Sequence, residues 1–191
     1  MKARLILASA SPRRRELLDQ IGVGYRARPV MLDETPHTDE APLAYVQRVA
    51  AEKSRLCRTQ SSENLPILAA DTAVVVEQRI LGKPKDQAQC LAMLSLLSGT
   101  THQVYTAVSL QGREHWQAVS ITEVTFRTLT RQEMLAYWRS KEPADKAGAY
   151  AIQGLGAVFV ESIKGSFSGV VGLPIFETVQ LLSKQGIHIF K

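Results

Sequence analysis

Apolar positions along the chain fall into short continuous runs and helical stripes that alternate, and each change of period marks a new element. Leu5 to Ala8 is an apolar run that predicts a buried strand, ended by the hydroxyls and proline of Ser9-Ala10-Ser11-Pro12. Pro12 suits a first helical turn with Ser11 as its N-cap, and Leu17, Leu18 and Ile21 make one stripe before Gly22 stops it. Tyr25 to Val30 predicts a second strand, which leads into an acidic loop from Asp33 to Glu40. From Ala41 to Cys57, Val46, Val49 or Ala50, Lys53 and Cys57 recur at helical spacing, so Lys53 falls on or beside the inward stripe.

Ile67 to Val76 is a nearly continuous apolar strand of the kind covered on both faces, with Asp71 in its middle. Ile80-Leu81-Gly82-Lys83-Pro84 follows a short turn, and Asp86 to Leu97 predicts a helix with Cys90, Leu94 and Leu97 on one side. After Gly99, Val104, Thr106, Val108 and Leu110 alternate, turn at Gln111-Gly112 and return through Val119, Ile121, Val124 and Phe126 as an antiparallel pair. A helix from about Arg131 to Arg139, a loop-rich stretch from Glu142 to Gly156 and a strand at Ala157 to Val160 come next. A glycine-containing loop at Gly165 to Gly172, a helix from Pro174 to Ser183 and a final strand at Ile187 to Phe190 complete the pattern. Strands alternating with helices, plus one antiparallel pair, predict an α/β protein with a mixed, twisted sheet flanked by helices. Two lobes around a cleft would place their crossings near Gly99 and Asp145.

Composition changes this picture little. With 191 residues, 45% of them hydrophobic, the chain can build one core or two small lobes. A formal net charge of +5 permits an anionic ligand such as a nucleotide without requiring one, because only Arg13-Arg14-Arg15 clusters. Cys57 and Cys90 form neither a CxxC pair nor a disulfide framework, which fits a reducing compartment. Met1 to Ala10 imitates a signal peptide, but its apolar run is shorter than the roughly 7–15 residues of an h-region. No window nears the ~20 apolar residues of a membrane span, so a cytoplasmic location is expected.

Candidate chemistry centres on Asp71, because a carboxylate inside an apolar strand needs a cation to offset its burial. A divalent metal, Lys53 or Lys83 could supply it; at a strand end Asp71 would merely cap the next turn. Glu34 could join Asp71 as an oxygen ligand of a hard cation such as magnesium, or simply be part of an acidic loop before a helix. Ser9 to Arg14 places hydroxyls, backbone amides and guanidinium groups where a strand passes into a helix N-terminus, an arrangement that binds phosphate or else is a solvated face. Lys53 and Lys83 read as further phosphate ligands or as lysines snorkelling to solvent. Gly154-Leu155-Gly156 lacks the strand-then-helix context of a dinucleotide fingerprint and reads as structural. GxxxxGK[ST], HExxH and GxSxG are absent, and His37, His102, His115 and His188 show no metal-ligand spacing. Metal-assisted hydrolysis by carboxylates and lysines is what remains.

These pieces in this order resemble the Maf family of nucleoside triphosphate pyrophosphatases, a family related in fold to the inosine triphosphate pyrophosphatases. The resemblance is carried by Leu7-Ala8-Ser9-Ala10-Ser11-Pro12-Arg13-Arg14, Asp33-Glu34, Arg48 with Ala50 and Lys53, and Ala70-Asp71-Thr72. It continues through Gly82-Lys83-Pro84, Leu97-Ser98-Gly99, Asp145-Lys146-Ala147-Gly148-Ala149-Tyr150 and Gly172-Leu173-Pro174, so that residues 1–191 read as one domain of this type. It implies cleavage between the α and β phosphates with a divalent cation, magnesium or manganese. Asp71 would accept the proton of the attacking water, Glu34 with Asp71 would hold the ion, and Ser9, Arg14, Lys53 and Lys83 would neutralise the triphosphate. Arg13, Thr72 and Gln153 stand at the positions that set specificity in the family and resemble its dTTP/UTP subgroup. Ala151 departs from the glycine frequent there. The Gln153 amide offers a donor and an acceptor to a pyrimidine edge. The expected partner is a nucleoside triphosphate, with neither membrane nor nucleic acid, and a homodimer stays open. The rival reading is a non-catalytic nucleotide- or nucleic-acid-binding regulator of cell division, against which the two carboxylates argue, since they repel polyphosphate unless a metal bridges them.

Overall fold

A computed structural model describes residues 2–190. Strand β1 (Leu5–Leu7) leads through Ser9 to Ser11 into helix α1 (Pro12–Gln20), which starts on its proline as expected, although Ser11 makes no side-chain cap. Strand β2 (Tyr25–Ala27), helix α2 (Pro42–Gln60) and strand β3 (Ile67–Val76) follow. β3 turns back on Glu77 and Gln78, both at positive φ, into the short strand β4 (Arg79–Leu81). Helix α3 (Gln87–Leu97) is capped by Asp86, whose Oδ1 accepts the Gln89 amide at 2.8 Å. The long pair β5 (Thr101–Gln111) and β6 (His115–Phe126) precedes helix α4 (Arg131–Arg139), which opens on a Thr130/Glu133 capping box. Strand β7 (Val160–Lys164) and helices α5 (Phe167–Val171) and α6 (Ile175–Lys184) end the order.

The seven strands make one mixed sheet in the order β2-β1-β3-β5-β6-β7, with β4 on β3. β1 is parallel to β2 and β3, and the remaining pairs are antiparallel. Alternation along β3 sorts its side chains between two layers. Ile67, Ala69, Ala73 and Val75 meet α2 through Val46, Val49, Ala50 and Cys57, whereas Leu68, Ala70, Val74 and Val76 join the main core on the other face. That core takes Leu18, Leu94, Leu97, Phe126 and Leu182, each burial stabilising by roughly 1.5–3 kcal/mol.

One edge of β3 positions the site. The opposite edge is paired with β5 from Ile67 to Val75. On the open edge, β1 pairs only with Ile67 and Leu68, and β4 only with Val74 to Val76. Between them no strand among the described residues covers Ala69 to Ala73, and the sheet splits there into a cleft.

The helices and long strands stand close to the sequence reading; β2 stops at Ala27 rather than Val30, and the other differences lie mainly toward the C-terminus. Leu155–Phe159 is a 3-10 segment rather than a strand, because a strand can begin only at Val160, where the β6 edge at Phe126 comes within pairing register. The glycine-containing loop holds α5, capped by Ser166 Oγ on the Gly169 amide at 3.0 Å. Ile187 to Phe190 form no strand: Ile187 buries in the core beside α6, whose Leu182 carbonyl accepts its amide at 3.0 Å. The crossings expected near Gly99 and Asp145 do not part the sheet, since β5 and β6 pair without interruption from Thr101 to Gln111. Among the described residues no helix is long and apolar enough to cross a membrane.

Candidate active site

Asp71 lies mid-strand, opposite Ala107 of β5, and at 5% exposure it is not a turn cap. Its Oδ1 accepts from Lys53 Nζ at 2.9 Å, while Oδ2 is buried without a partner among the described residues. Burial raises the Asp71 pKa above the usual carboxylate value, the charges of Lys53 and Arg14 oppose that rise, and Glu34 adds to it. Lys53 reaches this position because the inward stripe of α2 passes over the open part of β3. It is 7% exposed and also holds Glu34, with Nζ 2.9 Å from Oε1. Of the readings open for Asp71 and Lys53, mid-strand pairing replaces both capping and snorkelling.

Arg14 crosses the other side of the cleft. It donates from Nε to the Gly172 carbonyl at 2.8 Å, from Nη1 to Ser9 Oγ at 3.3 Å and from Nη2 to Thr72 Oγ1 at 3.3 Å. Burial lowers its pKa, and the nearby Asp71 charge works in the opposite direction. Thr72 Oγ1 also accepts from Thr106 Oγ1 at 3.0 Å. Arg13 stands 4.0 Å from Asp145, a residue that pairs with Lys146 as well. Among the described residues Lys83 forms no ion pair, and it is exposed at the cleft mouth between Gly82 and Pro84.

Glu34 sits on a loop whose shape is set elsewhere. Arg48 of α2 grips Glu40 with two bonds, Nε to Oε1 at 2.6 Å and Nη2 to Oε2 at 2.7 Å, and reaches the Thr35 carbonyl at 3.3 Å. The Arg48 hydrogen bond brings the Glu40 pKa down to about 2. Sequence reasoning quoted Arg48 without giving it this work.

Ser9, Arg13, Arg14, Glu34, Lys53, Asp71, Thr72, Lys83 and Gln153 all line one cavity of about 390 Å³. Ile152 lines it too, as do Asp145, Lys146 and Tyr150 of the stretch that resembles the family from Asp145 to Tyr150 and to which the sequence gives no role. Tyr150 is fixed by His102, whose Nε2 lies 2.8 Å from the phenol oxygen. Among the described residues no group of three or more His, Cys, Asp or Glu side chains could hold a metal ion, so a tightly caged ion is not built here. Of the three carboxylates that line the cavity, Asp71, Glu34 and Asp145, the first two come together on Lys53. Magnesium is commonly bound by one or two carboxylates together with water and phosphate oxygens, and the unpartnered Asp71 Oδ2 with Glu34 fits that pattern. The cavity thus sets a buried carboxylate among Arg and Lys side chains, chemistry suited to a polyphosphate.

The family model described as Maf-like protein matches residues 4–185. The chain is 51% identical over 185 residues to a dTTP/UTP pyrophosphatase of Methylococcus capsulatus, covering 96% of this chain and 92% of that one. It is 52% identical over 194 residues to a dTTP/UTP pyrophosphatase of Saccharophagus degradans, covering 99% and 92%. Among solved structures, the nucleoside-triphosphatase / dITP/XTP pyrophosphatase of Mycobacterium abscessus overlaps 64% of this chain and 72% of its own, with 18% identity and a TM-score of 0.41. With a family match that spans nearly the whole sequence and relatives at half identity, the chain belongs to the Maf-like protein family.

Proposed function

We propose that the protein hydrolyses dTTP and UTP to the monophosphate and pyrophosphate, with CTP and modified uridine triphosphates as further candidate substrates of the same class. The observation that carries this reading is Asp71 Oδ2, buried without a partner in a cavity otherwise rich in Arg and Lys. In the reaction a water oxygen bonds to the α phosphorus, the bond from that phosphorus to the bridging oxygen breaks, and pyrophosphate leaves. Asp71 takes the proton of the water at Oδ2, a step that contributes about 10²–10⁴-fold when the base is well placed. Lys53 keeps the other oxygen engaged and holds the carboxylate in one orientation. Arg14, Lys83 and Ser9 bind the phosphate oxygens and oppose the charge that builds on the leaving pyrophosphate. Asp71 and Glu34 would hold a magnesium or manganese ion, which supplies charge neutralisation on the phosphates and makes water a better nucleophile. Arg13, Thr72 and Gln153 select the base. The work falls on the cytoplasmic nucleotide pool.

Pyrophosphate release from dTTP, UTP, CTP, GTP and 7-methyl-GTP, with magnesium or manganese and with a chelator as blank, tests this. Metal-dependent turnover led by dTTP and UTP is the expected result. Binding without turnover of any triphosphate would overturn it in favour of a regulator.

A further inference from the structure

Gln153 lies exposed at the cavity rim on a turn that is tied down from both ends by a single pair of side chains. Tyr137, near the end of α4 and 5% exposed, donates from Oη to Glu142 Oε1 at 2.7 Å and accepts the Ala151 amide at 3.1 Å. Glu142 then accepts the Leu155 amide on Oε2 and the Gly156 amide on Oε1, each at 3.0 Å. The amides two residues before Gln153 and two and three residues after it therefore end on one hydrogen-bonded phenol and carboxylate. Burial alone would raise the Glu142 pKa, yet the bonds from Tyr137, Gly156 and Leu155 hold it below its ordinary value. The tyrosine ring is itself locked edge-on against Phe159, with centroids 5.0 Å apart. The two glycines are part of the device: a methyl on Gly156 would come within 2.7 Å of Tyr137 Oη, and one on Gly154 would run into the Glu142 carboxylate. Neither Tyr137 nor Glu142 lines the cavity, so any influence on a ligand passes through the turn.

We propose that Tyr137 and Glu142 are positioning residues for base recognition, fixing the 151–156 turn so that the Gln153 amide meets a pyrimidine edge. The proposal rests on the dTTP/UTP reading above and deepens it. Tyr137→Phe removes the shared oxygen while keeping the ring, and Glu142→Gln replaces one acceptor by a donor. Each is made alone and with Gln153→Ala, and kcat and KM are measured for dTTP and UTP beside the melting temperature and amide exchange across residues 151–156. In the single variants KM rises on the order of ten-fold with kcat nearly unchanged, as loss of uniform binding requires. In the Gln153→Ala background neither change raises KM further. Parallel losses in kcat, or additive KM effects in the double variants, would overturn the proposal. So would faster amide exchange with unchanged KM, which means that the turn is clamped but does not read the base. Should Glu142→Gln fail to fold, Tyr137→Phe carries the same comparison. A wild-type protein that turns over neither substrate overturns the functional reading itself, and this proposal with it.

Discussion

Lys53 Nζ stands 2.9 Å from Asp71 Oδ1, and both side chains are below 10% exposure. Two opposite charges are removed from water in this way, and the aspartate depends on the lysine more than the lysine on it. Glu34 can still hold the lysine, but nothing equivalent to Lys53 would hold the aspartate. Lys53→Met is therefore expected to cost about 3 kcal/mol in unfolding free energy and to remove turnover. Adding Asp71→Asn should restore much of that stability and none of the activity. Urea unfolding of the single and the double variant checks this; a double variant as unstable as the single one would remove the pairing from the account.

Asp71→Asn alone keeps the shape of the side chain and deletes the proton acceptor. Pyrophosphate release with saturating magnesium should fall by about 10²–10⁴-fold, with cooperative unfolding retained. Substantial residual rate would take Asp71 out of the base role.

Arg48 acts on the candidate metal site from a distance by gripping Glu40 and the Thr35 carbonyl on the loop that carries Glu34. Lysine cannot reproduce the two-pronged bond. With Arg48→Lys, the magnesium concentration for half-maximal rate should rise on the order of ten-fold at little cost in melting temperature. A magnesium titration superimposable on that of the wild type would detach Arg48 from Glu34.

His102 is 1% exposed, packed edge-on to Phe126 and Tyr150, and burial brings its pKa down to about 4. A base whose folded pKa lies below its unfolded value near 6.5 favours the fold in its neutral form. Its contribution is complete above pH 6.5 and is lost as pH falls through about 4, a loss of about 3 kcal/mol over that window. Denaturant melts across this range should show the loss, and His102→Gln should flatten it. An acid limb identical in the variant would assign the sensitivity to other groups.

Gln153→Glu puts an acceptor-only group where the amide offers both donor and acceptor. Because the side chain is exposed on a turn, stability should hardly change, while kcat/KM for dTTP and UTP falls about ten- to a hundred-fold. Equal rates before and after would count against its part in base selection.

Much of this was legible in the chain because the telling residues broke a local pattern. Asp71 interrupts ten residues that otherwise read as a covered strand, and Lys53 interrupts an apolar helical stripe, so burial of each implied a partner of opposite sign. Arg48, Tyr137 and Glu142 break no pattern. Their importance comes from bonds to carbonyls and amides as far away as Gly156, and local periodicity carries no trace of such bonds. The strand expected at Ile187 to Phe190 failed for a related reason: strand-like alternation needs a free sheet edge beside it, and here Ile187 turns into the core instead. Val160 pairs only where β6 offers an edge, which is why the preceding residues coil into a 3-10 segment.

The uncovered stretch of β3 has one more effect. Successive residues of a strand normally belong to separate compartments, sealed from each other by the neighbouring strands. At Ala69 to Ala73 that seal is missing, so Asp71, turned toward α2, and Thr72, turned toward α1 and α5, open into the same cavity. A molecule filling that cavity would straddle the thickness of the sheet, between the layer that carries the carboxylates and the layer that carries the Arg14 contacts. Two adjacent codons can then be altered independently, one changing reactivity and the other changing the contour met by the ligand, with the backbone between them left where it is.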